Sequence, residues 1–445
     1  MTALEVGAPP KSAPDRHRWL LLLVVGAALV LRLAYVAGAK TDEALAGDQI
    51  YYSAQAQTIA HGHWFEDPFR VDREAADHPP LTALVAATVS FGDDPVLAQR
   101  MLMAVLGAVT VGVIGLLAGR VAGRRAGVIA AVIAALYANF WMNDGLVMSD
   151  TVSTLCITGF LLGVYAYLDR PSRRRAVVVG LLIGLATLAR AEMLLAIPLV
   201  AAPVMLVPRF GAPPAWTERW LRLGAVVGVL VLTLAPWTLY NATRFERPVL
   251  MSTNDGLALL GANCPNTYYG PGLGFWSLQC GEAFPVPATE DQSQHSARFR
   301  AEGVHYARTH VSRLPIVAVA REARVWSAWR VDQMVWLNVG EGREQWASRI
   351  GVVQWWLLVP LAVAGAVVLR RRRVPLLPLL AMFALVTIVA LVFYGIPRFR
   401  LPADVAAVVL AAAAIDQGLT GLSRLAAPGP SGRPATATPS RNPPG

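Results

Sequence analysis

Acidic and basic side chains recur in this chain at the ends of its long apolar runs. Asp48 follows the first run, Asp77 and His78 precede a short one at 79–91, and Asp150 opens another. Arg190 and Glu192 stand between two runs, and Arg398 and Arg400 flank Phe399 just before the last. Cations and carboxylates gathered in one place suit the cleavage of a sugar–phosphate bond. The departing phosphate is an anion that needs Arg, Lys or His donors, and an acceptor hydroxyl needs a carboxylate to take its proton as it attacks. Arginine suits the first task because its planar fork donates two parallel hydrogen bonds. The chain has no glycine-rich loop of the P-loop or Rossmann type. The phosphate is therefore expected to come from the membrane, which makes a lipid-linked sugar the natural donor.

The elements that must hold these groups follow from composition. Apolar residues make up 55% of the 445 positions and charged residues 15%, and the mean hydropathy is +0.47. A water-facing surface cannot be built from what remains, so a soluble enzyme is excluded. The apolar runs approach the roughly 20 residues that a helix needs to cross a hydrocarbon core. The chain reads as an all-α polytopic membrane protein. Its formal charge of +10 sits mostly in short arginine clusters beside apolar runs. That placement is a topology signal, and no nucleic-acid partner is expected. Three cysteines without a CxxC pair or a His/Cys cluster predict no metal site.

About ten spans are expected, at 19–38, 97–119, 126–142, 146–168, 175–190, 192–208, 221–240, 350–369, 374–394 and 401–419. With the amino terminus inside, every short arginine cluster falls on the cytoplasmic side, including the block Arg370–Arg373. The plasma membrane is the expected location, with membrane lipids as partners and the site on the extracytoplasmic side. In the first outer loop, 39–96, the apolar run 79–91 is too short to span, and counting it as a span would put Arg120, Arg124 and Arg125 outside. Within this loop 49–62 and 79–91 read as two juxtamembrane helices, the former with Gln49, Ser53 and Gln57 on one face and Tyr52, Ala56 and Ile59 on another. Residues 1–18 and 420–445 are expected to be cytoplasmic and disordered, 19–240 to form the main transmembrane module, 241–349 a long outer loop, and 350–419 the C-terminal spans.

Several stretches carry a resemblance. Gly47-Asp48-Gln49-Ile50-Tyr51-Tyr52, Ala60-His61-Gly62-His63-Trp64 and Asp77-His78-Pro79-Pro80-Leu81 resemble the first outer loop of the GT-C glycosyltransferases. These include the protein O-mannosyltransferases and the lipid A aminoarabinose transferase. Arg190-Ala191-Glu192, Pro236-Trp237, Arg244-Phe245 and Arg398-Phe399-Arg400-Leu401-Pro402 extend the likeness over residues 19–419. The resemblance implies a GT-C fold and inverting transfer of a sugar from a polyprenyl-phosphate carrier to a glycan, lipid or protein hydroxyl on the outer face. It places Asp48 as catalytic base. His78 stands where many relatives have Lys before Pro, and Gln49 where many have Glu. Some relatives require a divalent metal and others do not, so no cofactor besides the lipid-linked co-substrate is predicted.

Each residue also has a structural reading. Asp48 or Asp150 caps a helix or works in the site. Arg398 and Arg400 either anchor to headgroups or bind the donor phosphate, as His78 and Arg190 also would. Arg190 and Glu192 close a hairpin or line the cavity; Asp150, Tyr52 and Asp77 are the other expected lining residues. Arg32 and Arg100 read as snorkelling to headgroups, and the arginines of 296–330 as lying on them. Cys264 and Cys280 share the oxidising side and predict a disulfide. Tyr268, Tyr269, Phe275 and Trp276 read either as a sugar-stacking lid or as loop packing. A flippase of a lipid-linked sugar is the alternative function, although no internal repeat of the transporter kind is present.

Overall fold

The structure is a computed structural model, and it describes residues 16–207, 215–285, 287 and 289–426. Predicted features at 1–15, 208–214 and 427–445, including most of both expected disordered tails, lie outside these residues. Every regular element among the described residues is helical. Five helices are long and apolar enough to cross a membrane: Arg16–Lys40, Pro95–Ala122, Ser149–Asp169, Trp216–Ala242 and Gln345–Arg371. Residues 124–145 would add a sixth if its two bent halves form one span.

Local sequence explains where the helices begin, end and bend. Asp94 caps Pro95–Ala122 by accepting the Leu97 N–H at 2.9 Å, Pro95 fills the first helical position, and Gly123 ends the helix at φ +107°. The predicted run 126–142 is not one straight span. It breaks at Tyr137, and the two pieces meet at 59°. The run 192–208 is likewise irregular, passing through 3-10, π and α turns as Pro198 and Pro203 interrupt the ladder. Of the predicted helix 79–91, only Leu81–Ala87 is helical.

The final helix, Leu401–Ala426, forms the core of the bundle, and its residues 401–413 are all buried. Its alanine-rich face lets neighbours approach closely, and Gly365 of Gln345–Arg371 lies against the Leu410 carbonyl. At one end of the bundle the arginine clusters meet each other's elements: Arg120 pairs with Asp169, Arg173 with Glu218, and Arg372 reaches Gln417. The other end carries residues 241–349. That segment is largely helical, with Asn254–Ala262, Gln292–Thr309, Leu314–Val325 and Val331–Gly340 folded over the bundle.

Three expectations about charge are corrected. Arg32 and Arg100 do not reach headgroups. Each is 1% exposed; Arg32 donates to Asp144 at 2.6 Å and Arg100 to the Lys40 carbonyl. Gly107 makes the first contact possible, because a side chain there would collide with the Asp144 carboxylate. Arg321 and Arg324 are also buried, bonded to loop carbonyls. Finally, the Asp48–Ala60 helix buries Gln49 and Ser53 as well as Tyr52, Ala56 and Ile59. Its polar face packs on protein, where Gln49 bonds the Glu341 carbonyl at 3.0 Å.

Candidate functional site

A cavity of about 430 Å³ opens at the end that carries residues 241–349. Its charged wall comprises Asp48, His78, Arg190, Glu192 and Arg398, and its apolar wall includes Leu195, Ile388, Val392 and Phe393. The segment 241–349 adds Ser252, Asn254 and Asp255.

Arg398 is the hub. It sits in the 3-10 turn Pro397–Arg400, which redirects the chain into the core helix. Its Nη1 donates to Asp48 Oδ2 at 2.7 Å and to Glu341 Oε1 at 3.1 Å, and its Nε donates to Asp150 Oδ2 at 3.1 Å. Burial works against its charge, but Asp150, Glu341 and Asp48 outweigh that and raise Arg398 well above the usual arginine range. Asp150, in the first turn of Ser149–Asp169, is fully buried and also faces Arg190 Nη1 at 3.7 Å. Arg190 ends Arg173–Ala189 in extended conformation, donates from Nε to Glu192 at 2.8 Å and lies over the Phe399 ring.

Asp48 reaches Arg398 because Gly47 turns the chain at φ +58°, ψ −138°, a conformation unavailable to most residues. Even a Cβ on Gly47 would touch Glu341 Cγ at 3.4 Å. Gly342 makes the matching approach from the other side at φ +85°, with the Gln49 amide nitrogen 2.6 Å from where its Cβ would be. Burial raises the Asp48 carboxyl, but the Arg398 guanidinium overrides this and holds it at about 2. Its side chain is still 36% exposed, toward the cavity. His78 stacks on Tyr52 with ring centroids 4.7 Å apart. Burial, helped by Arg398 and Arg190 and opposed by Asp48, lowers its pKa.

This arrangement can be set beside known proteins. Residues 77–240 match the family described as dolichyl-phosphate-mannose-protein mannosyltransferase. Among solved structures, the Archaeoglobus fulgidus oligosaccharyltransferase in the apo form is similar at TM-score 0.56 and 14% identity, covering 93% of this chain and 52% of its own. The fold is similar to that of this oligosaccharyltransferase. The oligosaccharyltransferase AglB from Archaeoglobus fulgidus in complex with an inhibitory peptide and a dolichol-phosphate gives TM-score 0.52 at 15% identity, over 92% of this chain and 51% of its own. ArnT from Cupriavidus metallidurans bound to undecaprenyl phosphate has TM-score 0.43 and 16% identity, covering 92% of this chain and 80% of its own. The chain thus spans about half the length of the oligosaccharyltransferase. No curated protein matches by sequence. The family match contains Asp77, His78, Asp150, Arg190 and Glu192, whereas Asp48 and Arg398 lie outside it.

Asp48, Tyr52, His78, Arg190, Glu192 and Arg398 share the cavity. Three predicted residues do not join them. Asp150 is fully buried behind the two arginines and does not line the cavity. Arg400 is fully buried, donates to Asp404 at 2.9 Å and to Ser327 at 2.9 Å, and packs on the Trp355 ring. Asp77 accepts from the Gln292 amide at 2.9 Å and is not among the lining residues; burial raises its carboxyl to about 6. Sequence reasoning missed Glu341, Asn254 and Tyr394. Glu341 lies between Gly340 and Gly342, and that pair of glycines was the available signal. Cys264 and Cys280 are joined by a disulfide. Among the described residues, no group of three or more His, Cys, Asp or Glu side chains is placed to hold a metal ion.

Proposed function

We propose that the protein is a membrane glycosyltransferase that moves a sugar from a polyprenyl-phosphate donor to an acceptor hydroxyl on the extracytoplasmic face, with inversion at the anomeric carbon. The observation that carries this reading is the Asp48–Arg398 contact of 2.7 Å at the edge of a cavity with one charged and one apolar wall. The apolar wall fits the first isoprene units, and the guanidinium groups of Arg398 and Arg190 fit the phosphate. Arg398 commits Nε and Nη1 to carboxylates. Among the described residues its Nη2 makes no hydrogen bond, which leaves that nitrogen's two N–H groups for the incoming anion.

The chemistry is a single displacement. The acceptor oxygen bonds to the anomeric carbon, its proton passes to the Asp48 carboxylate, and the carbon–oxygen bond to phosphate breaks with both electrons leaving on the polyprenyl phosphate. Paired with Arg398, Asp48 is a weak base. An arriving phosphate competes for Arg398 and brings negative charge nearby, and both effects raise the carboxyl pKa toward a useful range. The base is thereby strengthened when the donor is present.

The test is sugar transfer in membranes from radiolabelled polyprenyl-phosphate sugars. Asp48→Asn keeps the shape and removes the base, and it is expected to lower transfer by about 100-fold or more. Unchanged transfer in that variant would remove Asp48 from the mechanism, and sugar movement across the bilayer without transfer would replace the transferase reading with a flippase.

A further inference from the structure

A second concavity, of about 530 Å³, lies on the segment 241–349 between Pro265 and Gln279. Its lining differs from that of the cavity around Arg398 because it contains no charged side chain. It combines the rings of Tyr269, Phe275 and Trp276 with the amides of Asn266 and Gln279 and the Ser277 hydroxyl. Tyr269 is 45% exposed. The Asn266 amide nitrogen is tied to Gln279 Oε1 at 3.1 Å, which orients both amides. Flat rings for C–H faces and oriented amides for hydroxyls fit a neutral polyhydroxylated ligand, and the nearby guanidinium groups, Arg313 over the Tyr269 ring at 4.5 Å and Arg324 over the Phe275 ring at 5.5 Å, donate to backbone carbonyls.

The shelf is rigid before anything binds. Cys264 and Cys280 bracket it with a disulfide. Three arginines beneath it donate to its main chain: Arg313 to the Tyr268 carbonyl at 2.9 Å, Arg321 to Ala262 at 2.7 Å, and Arg324 to Leu273 at 2.7 Å and Pro271 at 2.9 Å. A loop held this way loses little freedom on binding, which favours affinity. The shelf and the cavity also share a wall. Trp276 of the groove packs against Tyr394 of the cavity with centroids 6.2 Å apart, and the Gly395 N–H donates to the Gly274 carbonyl at 3.0 Å.

We infer that this groove is an acceptor subsite for a glycan chain, whose internal sugars lie against Tyr269 and Gln279 while its end is presented to the cavity across the Trp276–Tyr394 wall. The assignment of the glycan as acceptor rests on the transferase reading above; the groove's preference for a neutral oligosaccharide does not.

The experiment uses the full chain in detergent on a printed array of linear arabinan, mannan, galactan and glucan oligosaccharides beside the matching monosaccharides. The wild type is expected to retain at least one oligosaccharide series over its monosaccharide. Tyr269→Ala and Gln279→Ala, both at exposed positions, are expected to lower that retention about tenfold. Failure of the wild type to prefer any oligosaccharide, or undiminished wild-type retention by both groove variants, overturns the subsite. Groove-dependent retention without sugar transfer by the wild type supports the glycan groove and counts against the transferase alone.

Discussion

Arg398 and Arg400 are separated by one residue and share one turn, yet they occupy opposite environments. Arg398 faces a cavity and is shared by Asp48, Asp150 and Glu341. Arg400 is sealed in the core with one carboxylate, Asp404, and the face of Trp355. The turn between them is a 3-10 helix, in which each residue advances about 120°, so positions two apart point to different sides. An Arg-x-Arg pattern therefore supplies one arginine to the site and one to the scaffold. Arg398 is thus shared among three carboxylates at the edge of a cavity, whereas Arg400 is matched with one in the core.

Substitutions at these two positions should separate the roles. Arg398→Ala is expected to reduce transfer about a thousandfold per folded molecule, as read by turnover normalised to the folded fraction from thermal melting. Arg400→Ala strands the Asp404 carboxylate and is expected to cost about 3–5 kcal/mol of stability, while the fraction that folds keeps wild-type turnover. Equal loss of turnover per folded molecule in both variants would erase the distinction. Arg190→Ala removes the second guanidinium and is expected to raise the donor KM about tenfold with a smaller change in kcat.

The pH dependence sharpens the same contrast. The Asp48 carboxyl is held at about 2, below its ordinary value, so it stays ionised as pH falls until about that point. The kcat/KM profile of the wild type is thus expected to show no acid limb from Asp48 between about pH 4 and 8. In Arg398→Ala the main lowering influence is gone and burial raises the group, so an acid limb should appear in the residual activity. The smallest effect concerns Asp77, raised from 3.8 to about 6. Its protonated form is favoured by folding, so stability falls as pH rises from about 4 through 6. Asp77→Asn is expected to flatten melting temperature across that window.

Much of this was legible in the residues. The apolar runs mark helices because hydropathy alone selects them, and the arginine clusters do collect at one end of the bundle. Asp48, Asp150, Arg190 and Arg398 converge although as many as 350 positions separate them. What escaped depended on partners. Arg32 reads as an interfacial anchor until Asp144, 112 residues away, is placed beside it. The buried polar face of Asp48–Ala60 escaped in the same way, since helical spacing shows that two faces differ but not which neighbour covers each. Glu341 was hidden in a long segment rich in charge, where only its flanking glycines set it apart.

Asp150 holds a further consequence. Two guanidinium groups side by side repel one another, and a receptor for an anion built from them alone would spread apart when vacant. The buried Asp150 carboxylate lies between Arg190 and Arg398 and binds both from behind. The two guanidinium groups therefore keep their spacing through a carboxylate that belongs to the protein itself.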